Sequence, residues 1–168
     1  HETSLLDLYL NNKNPYLMKD AGSFDWMKVL NTLVDDGMVL PRVATAIYKE
    51  HSRMVSEGQH HEITEAAATS AVQKILKDNG YDSIRYLNRF EGIDMETASF
   101  SHLPEKDFDA LAQKYQDKLI DRKFYGENEA AGRALAVTIR KHGTDEEFKM
   151  LFPEAGEARI IFEPTQAK

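Results

Sequence analysis

Cysteine is absent from the sequence, which excludes disulfide bonds, thiolate metal sites and cysteine nucleophiles. No apolar run approaches the roughly 20 residues that a membrane-spanning helix needs, and no signal-peptide pattern opens the chain. The glycine-rich phosphate loops and the Gly-x-Ser-x-Gly elbow of serine hydrolases are also missing. We therefore expect no membrane partner and none of the commonest nucleotide-binding or hydrolase sites.

Positive charge is in short supply as well. The 28 acidic residues outnumber the 21 basic ones and give a net charge of −7. Proteins that follow a nucleic-acid backbone usually carry a basic surface, so a nucleic-acid partner is not expected. A local basic patch stays open as an alternative, from Arg85, Arg89, Arg122, Lys123, Arg133, Arg140 and Lys141.

Length and composition are ordinary for a single globular domain. The chain has 168 residues, of which 42% are hydrophobic and 29% are charged. A chain of this size can bury a sizeable core without covalent cross-links. We therefore interpret residues 1–168 as one domain.

Apolar residues at helical spacing predict three helices in the first half of the chain. The first follows Ser23 as its N-cap, buries Trp26, Val29, Leu30 and Leu33, and stops near Gly37. The second runs from Pro41 to about Gly58, and the third from Thr64, its predicted cap, to Asn79-Gly80. A strand is predicted before them, through Leu5, Leu6, Leu8, Tyr9 and Leu10.

Two short strings predict strands that end at a turn or break. The first runs Gly80-Tyr81-Asp82-Ser83-Ile84-Arg85-Tyr86-Leu87-Asn88-Arg89-Phe90-Glu91-Gly92, with a strand over Ile84–Phe90 and Glu91 at its end. The second is the apolar run Ile160-Ile161-Phe162, which begins at Arg159 and stops at Glu163-Pro164. A third string, Leu8-Tyr9-Leu10-Asn11-Asn12-Lys13-Asn14-Pro15, lies near the start of the chain.

Together these three strings resemble the ADP-ribosyltransferase-like domains of phage and mobile-element polyvalent proteins. The resemblance covers about forty residues and implies an α+β fold, a small twisted mixed sheet flanked by about six helices. It also implies that the two signature strands are neighbours in one sheet. In the family they form a near hairpin, whereas here about sixty residues intervene, so residues 93–156 are interpreted as a helical insertion.

The resemblance implies that NAD binds as the substrate, and it places a site on the first string. Glu91 corresponds to a catalytic carboxylate that would bind the ribose 2′-hydroxyl and stabilise a cationic centre as nicotinamide leaves. Asn88, Tyr86 and Arg85 are the expected cofactor-binding residues, in reach of one concave site with Glu91. Glu163 is the next carboxylate to consider.

Each of these residues also has an ordinary structural interpretation. A glutamate before a glycine is commonly a solvated turn residue, a strand tyrosine is commonly half-buried packing, and Arg85 is typical of a surface arginine. Arg89 stands where the family often has an acidic residue that positions the catalytic carboxylate. That difference counts against catalysis.

Two functions follow from the resemblance. One is mono-ADP-ribosyl transfer from NAD to a host macromolecule by a phage or mobile-element effector. The other is a non-catalytic descendant, such as a virion internal protein, that binds and inhibits a host bacterial protein. Both imply action in the host cytoplasm, with delivery from a virion as one route. Strands that precede the third string in the family would lie before His1, so that half of the cleft is missing, supplied elsewhere or replaced.

No metal site is expected. His60-His61-Glu62 invites comparison with zinc motifs, but Glu65 stands where His-Glu-x-x-His requires a histidine. A solvated connection between helices is the preferred interpretation of residues 59–62.

Overall fold

A computed structural model describes residues 14–119 and 128–162, and for residues 128–130 it describes the backbone alone. These residues form three β-strands, six α-helices and one 3-10 helix. The fold is therefore α+β with a small mixed sheet, as the sequence predicted.

The chain divides into two compact units. The described part of the first unit comprises residues 14–18, 23–86 and 158–162. The second unit comprises residues 19–22 and 87–157, of which residues 120–127 are outside the described part. The insertion predicted at 93–156 lies within this second unit.

The strands are β1 (Pro15–Lys19), β2 (Ser83–Leu87) and β3 (Glu157–Ile161), in the sheet order β1-β2-β3. The predicted pairing of the two signature strands is confirmed, because β2 and β3 are neighbours. No strand is predicted from the sequence at the position of β1. Tyr16 and Met18 are buried and Leu17 is exposed, which is the alternation of a strand with one face on a core. The strand predicted over Leu5–Leu10 lies outside the described residues.

Three helices follow β1 in the first unit: α1 (Trp26–Asp35), α2 (Pro41–Ser56) and α3 (His61–Asp78). Helix α1 buries the four apolar residues that its spacing predicted, Trp26, Val29, Leu30 and Leu33. With Tyr16 and Met18 from β1, Ile84 from β2 and Phe162 after β3 they form the first core. This core therefore contains side chains from both the helices and the sheet.

Two of the predicted helix caps are wrong. The N-cap of α1 is Asp25, whose carboxylate accepts the Lys28 N–H at 3.0 Å. That backbone hydrogen bond holds the pKa of Asp25 below its usual value. Ser23 instead donates its hydroxyl to Asp25 at 3.0 Å.

The third helix begins earlier than predicted, at His61, so residues 61 and 62 are not part of a connection. His60 is its N-cap, with the ring Nδ1 accepting from the Glu62 N–H at 3.3 Å. Thr64 lies inside the helix, buried, with its hydroxyl donated to the His61 carbonyl at 2.9 Å. A side chain that bonds the preceding turn in this way is not available as a cap.

The second unit contains α4 (Glu105–Lys114), a 3-10 helix (Gln116–Lys118), α5 (Asn128–His142) and α6 (Asp145–Leu151). Its own core is built from apolar residues of all three α-helices, of the segments between them and of the end of β2, including Leu87, Leu111, Tyr115, Leu135, Ile139, Phe148 and Leu151. Thr144 caps α6, in a capping box with Glu147.

Candidate functional site

The turn after β2 carries two of the predicted site residues. The strand ends at Leu87, not at Phe90 as predicted. Asn88 causes the early stop, because its Oδ1 accepts the N–H groups of Phe90 at 3.2 Å and Glu91 at 2.9 Å. Its Nδ2 donates to the Glu91 carbonyl at 3.0 Å. An asparagine that folds the backbone back on itself competes directly with strand pairing.

Glu91 therefore lies in a turn and not at the end of a strand. It is exposed, and Gly92 after it adopts a positive φ of 70°. Within the part of the chain that the structure describes, the Glu91 carboxylate has no hydrogen-bond or ion-pair partner. The side chain of Asn88 is already occupied by the turn, so binding a ribose through it would require breaking that turn.

The other two predicted residues, Arg85 and Tyr86, lie in β2 within the first unit. Both are half-buried. The Tyr86 ring packs against Phe24, with centroids 4.3 Å apart. The predicted set thus divides between the units, with Asn88 and Glu91 in the second. Glu163 lies outside the described residues.

Arg89, between Asn88 and the exposed end of the turn, is among the most deeply buried side chains of the second unit. Its side chain is 1% exposed. Arg89 is therefore not available to the basic patch that the sequence left open as an alternative. Its backbone N–H donates to Asp20 at 2.9 Å, and Asp20 is buried with it.

The Arg89 guanidinium binds the C-terminal end of α5. Nη1 donates to the carbonyls of Ile139, Arg140 and Gly143 at 2.9–3.1 Å, and Nη2 donates to Asp145 at 2.7 Å. The last carbonyls of a helix have no partner within the helix, and they carry partial negative charge. A buried cation at this point donates hydrogen bonds to these carbonyls and also offsets their partial negative charge.

A second buried polar group, Glu147, connects α6 to α4. Its carboxylate accepts from the Tyr115 hydroxyl, from Lys114 Nζ at 2.7 Å and from the Thr144 N–H at 2.9 Å. Desolvation opposes its ionisation, but these hydrogen bonds outweigh that cost and lower the pKa of Glu147 to about 2. The bond to Thr144 is local and belongs to the capping box, whereas Tyr115 and Lys114 lie about thirty residues earlier in the chain.

A large cavity also belongs to the second unit. Its volume is about 710 Å³, and the loop before α4 and the helices α4 and α5 line it. The lining combines two aromatic rings with hydroxyl and carboxylate groups, including Phe100, Phe108, Ser99, Ser101, Glu105 and Asp109. It is a concave surface within the predicted insertion.

Neither a metal cluster nor a membrane span is found in residues 14–119 and 128–162. No group of three or more histidine and carboxylate side chains there could hold a metal ion. No helix in this part of the chain is both long and apolar enough to cross a bilayer.

Comparison with known proteins gives no relative. The chain matches no protein-family model, no curated protein and no solved structure.

Proposed function

We propose that this chain is a non-catalytic protein of the ADP-ribosyltransferase-like type, encoded by a phage or mobile element, that binds and inhibits a host bacterial protein. The main observation behind this proposal is that the residues directly after β2 have structural roles. The side chain of Asn88 is already hydrogen-bonded within the turn, and Arg89 is buried against the end of α5. The resemblance expects a ligand-binding residue at the first position and a carboxylate at the second.

The second unit is the proposed contact region. It holds the insertion that distinguishes this chain from the family pattern, and it has a core of its own and a cavity of about 710 Å³. A folded insertion with a concave surface is a common way to add a binding function to an existing fold. The proposed place of action is the host cytoplasm, reached in one route from a virion.

A binding experiment with matched variants tests this proposal. The purified chain is immobilised, bacterial proteins retained from an extract are quantified, and the best candidate is purified and titrated calorimetrically. Ser99→Tyr fills the cavity and should weaken binding at least about tenfold. Ser70→Tyr, on the exposed face of α3, is the control and should leave affinity unchanged. Equal effects of both substitutions, or no saturable partner, would contradict the proposal.

Mono-ADP-ribosyl transfer from NAD is the second candidate, and two observations favour it. The neighbouring positions of β2 and β3 are those that the resemblance implies. The Glu91 carboxylate is exposed and therefore accessible to a substrate.

Labelled NAD separates the two candidates. A transferase should label a host macromolecule, and Glu91→Gln, which removes the charge with little change in shape, should reduce the label about a hundredfold or more. Glu157→Gln is the matched control in an exposed strand position. Labelling that depends on Glu91 would replace the binding proposal. Labelling unaffected by Glu91→Gln would point to another carboxylate, with Glu163 next.

A further inference from the structure

Exposed basic side chains surround the C-terminal end of α5, in a protein whose net charge is −7 with histidine neutral. Lys141 and His142 close the helix, and Lys19 and Lys118 reach the same region from other segments of the second unit. All four are exposed, and Arg140 is half-buried beside them. We call these five residues the α5-end patch.

Two observations place these side chains together. Lys19 Nζ lies 2.6 Å from the Lys141 carbonyl oxygen. The pKa of His142 is lowered by its partial desolvation and by the positive charges of Lys118, Lys141 and Lys19. The positive electrostatic potentials of the three lysines therefore add at one point of the surface.

The patch holds more positive charge than the helix end requires. The C-terminal end of a helix carries about half a negative charge. Arg89 and Lys19 already donate to its carbonyl groups. Two carboxylates act on Lys19, and both have other partners: Asp145 is paired with Arg89, and Glu147 with Lys114. Within residues 14–119 and 128–162, the side chains of Lys118 and Lys141 form no hydrogen bond or ion pair, so their charges are available to an external anion.

An aromatic ring adjoins these cations. Phe90 is 37% exposed, and the Arg140 guanidinium carbon lies 4.4 Å from its ring centroid. Contact with the ring holds the planar guanidinium in place. A guanidinium plane so supported can stack on an unpaired nucleobase, which a lysine cannot do.

We propose that the α5-end patch, with Phe90, binds single-stranded nucleic acid. The lysines would bind successive phosphates, and the Arg140–Phe90 pair would stack on a base. Cationic grooves beside aromatic stacking groups are the usual means of binding single strands without sequence preference. An acidic protein would use the lysines but would leave the stacking pair unused. This inference goes beyond the proposed function and does not depend on it.

Fluorescence anisotropy of a labelled oligothymidylate of about 15 nucleotides tests the electrostatic part. At about 50 mM salt, Lys118→Glu/Lys141→Glu should weaken binding at least about tenfold. Its control is Lys49→Glu/Lys106→Glu, which makes the same change in net charge at exposed lysines elsewhere. The control should stay within about twofold of the unchanged chain. The salt slope should fall by about 1.4 when two phosphate contacts are lost.

Arg140→Lys tests whether the guanidinium stacks on a base, because the substitution keeps the positive charge and removes the planar group. It should weaken oligothymidylate binding about fivefold or more while leaving binding of heparin, a polyanion without bases, unchanged. Three results would overturn the proposal: no oligothymidylate binding at about 50 mM salt, equal losses in the two lysine double variants, or an Arg140→Lys chain that binds oligothymidylate as well as the parent. The last result, with heparin bound equally well, would indicate an acidic protein as the partner. Far-UV circular dichroism verifies the fold of each variant.

Discussion

Nη2 of Arg89 lies 2.7 Å from Oδ1 of Asp145, 56 residues further along the chain. The same guanidinium binds three carbonyls around the end of α5, so one side chain joins the turn after β2 to two helices of the second unit. Removing the Arg89 guanidinium would leave Asp145 and these carbonyl oxygens without their hydrogen-bond donor. The residue that argues against catalysis is thus central to the stability of its unit.

Arg89→Met is expected to destabilise the protein by about 2–4 kcal/mol, because the buried carbonyl groups of Ile139 and Gly143 lose their donor and the half-exposed Asp145 loses its ion pair. Urea unfolding followed by circular dichroism measures the change. Arg42→Met, at an exposed position of α2, serves as the control and should cost less than about 0.5 kcal/mol. Similar losses in both variants would mean that Arg89 does not anchor the helix end.

Glu147 should make stability depend on pH in the acid range. Its pKa is about 2 in the folded protein and about 4.3 in an unfolded chain. The group therefore stabilises the fold above about pH 4.3, and this contribution is lost as the pH falls toward 2. The contribution is roughly 2–3 kcal/mol.

The measurement compares unfolding free energies of Glu147→Gln and the unchanged chain at several pH values. The difference should be large at neutral pH and should shrink as the pH approaches the folded pKa of about 2. Glu146→Gln, next to it and exposed, should show no such pH dependence. A difference that stays constant through the acid range would be evidence against an ionised, hydrogen-bonded Glu147.

Gly132 allows the Phe100 ring to approach α5 closely. A Cβ atom at this position would lie 2.7 Å from Cδ2 of Phe100. Alanine favours a helix by about 1 kcal/mol over glycine, but overpacking costs about 1–3 kcal/mol, so Gly132→Ala should be neutral to destabilising. Adding Phe100→Leu should restore part of any loss. Gly156→Ala, where nothing lies within 4 Å of the added Cβ, is the control for the steric effect.

Asp25→Ala should destabilise the first unit by about 1 kcal/mol, because the Lys28 N–H loses the carboxylate that caps α1. Ser23→Ala, at the position that the sequence suggested for the cap, should cost only a few tenths of a kcal/mol. Thermal unfolding of the two variants ranks them. A larger loss for Ser23→Ala would reverse the assignment of the cap.

The elements that could be predicted from sequence are those fixed by local pattern. The apolar face of α1 depends on residues within a few positions of one another, and its prediction is confirmed. The caps of α1 and α3 were wrong because several polar residues near each helix start can accept the same backbone N–H. Which one does so depends on the backbone angles at the entry to the helix.

The candidate site was less predictable because its determinants are distant in sequence. Asn88 was assigned to a strand by alternation, but its side chain bonds the next turn of the backbone and ends the strand. The sequence around Arg89 is typical of a surface cation, whereas its hydrogen-bond partners lie some fifty residues further along the chain. No local pattern contains that information. The pairing of β2 and β3 was predicted only because the resemblance implied it.

The single tryptophan of the sequence, Trp26, is 4% exposed, donates its indole N–H to Glu65 at 2.5 Å and contacts the rings of Tyr48 and His51. All of these groups belong to the first unit. Intrinsic tryptophan emission is therefore a spectroscopic reporter of that unit alone, whereas circular dichroism sums helices from both. Superimposed denaturation curves from the two signals would establish one cooperative transition, and separated curves would assign the earlier or later melting step to a specific half of the molecule.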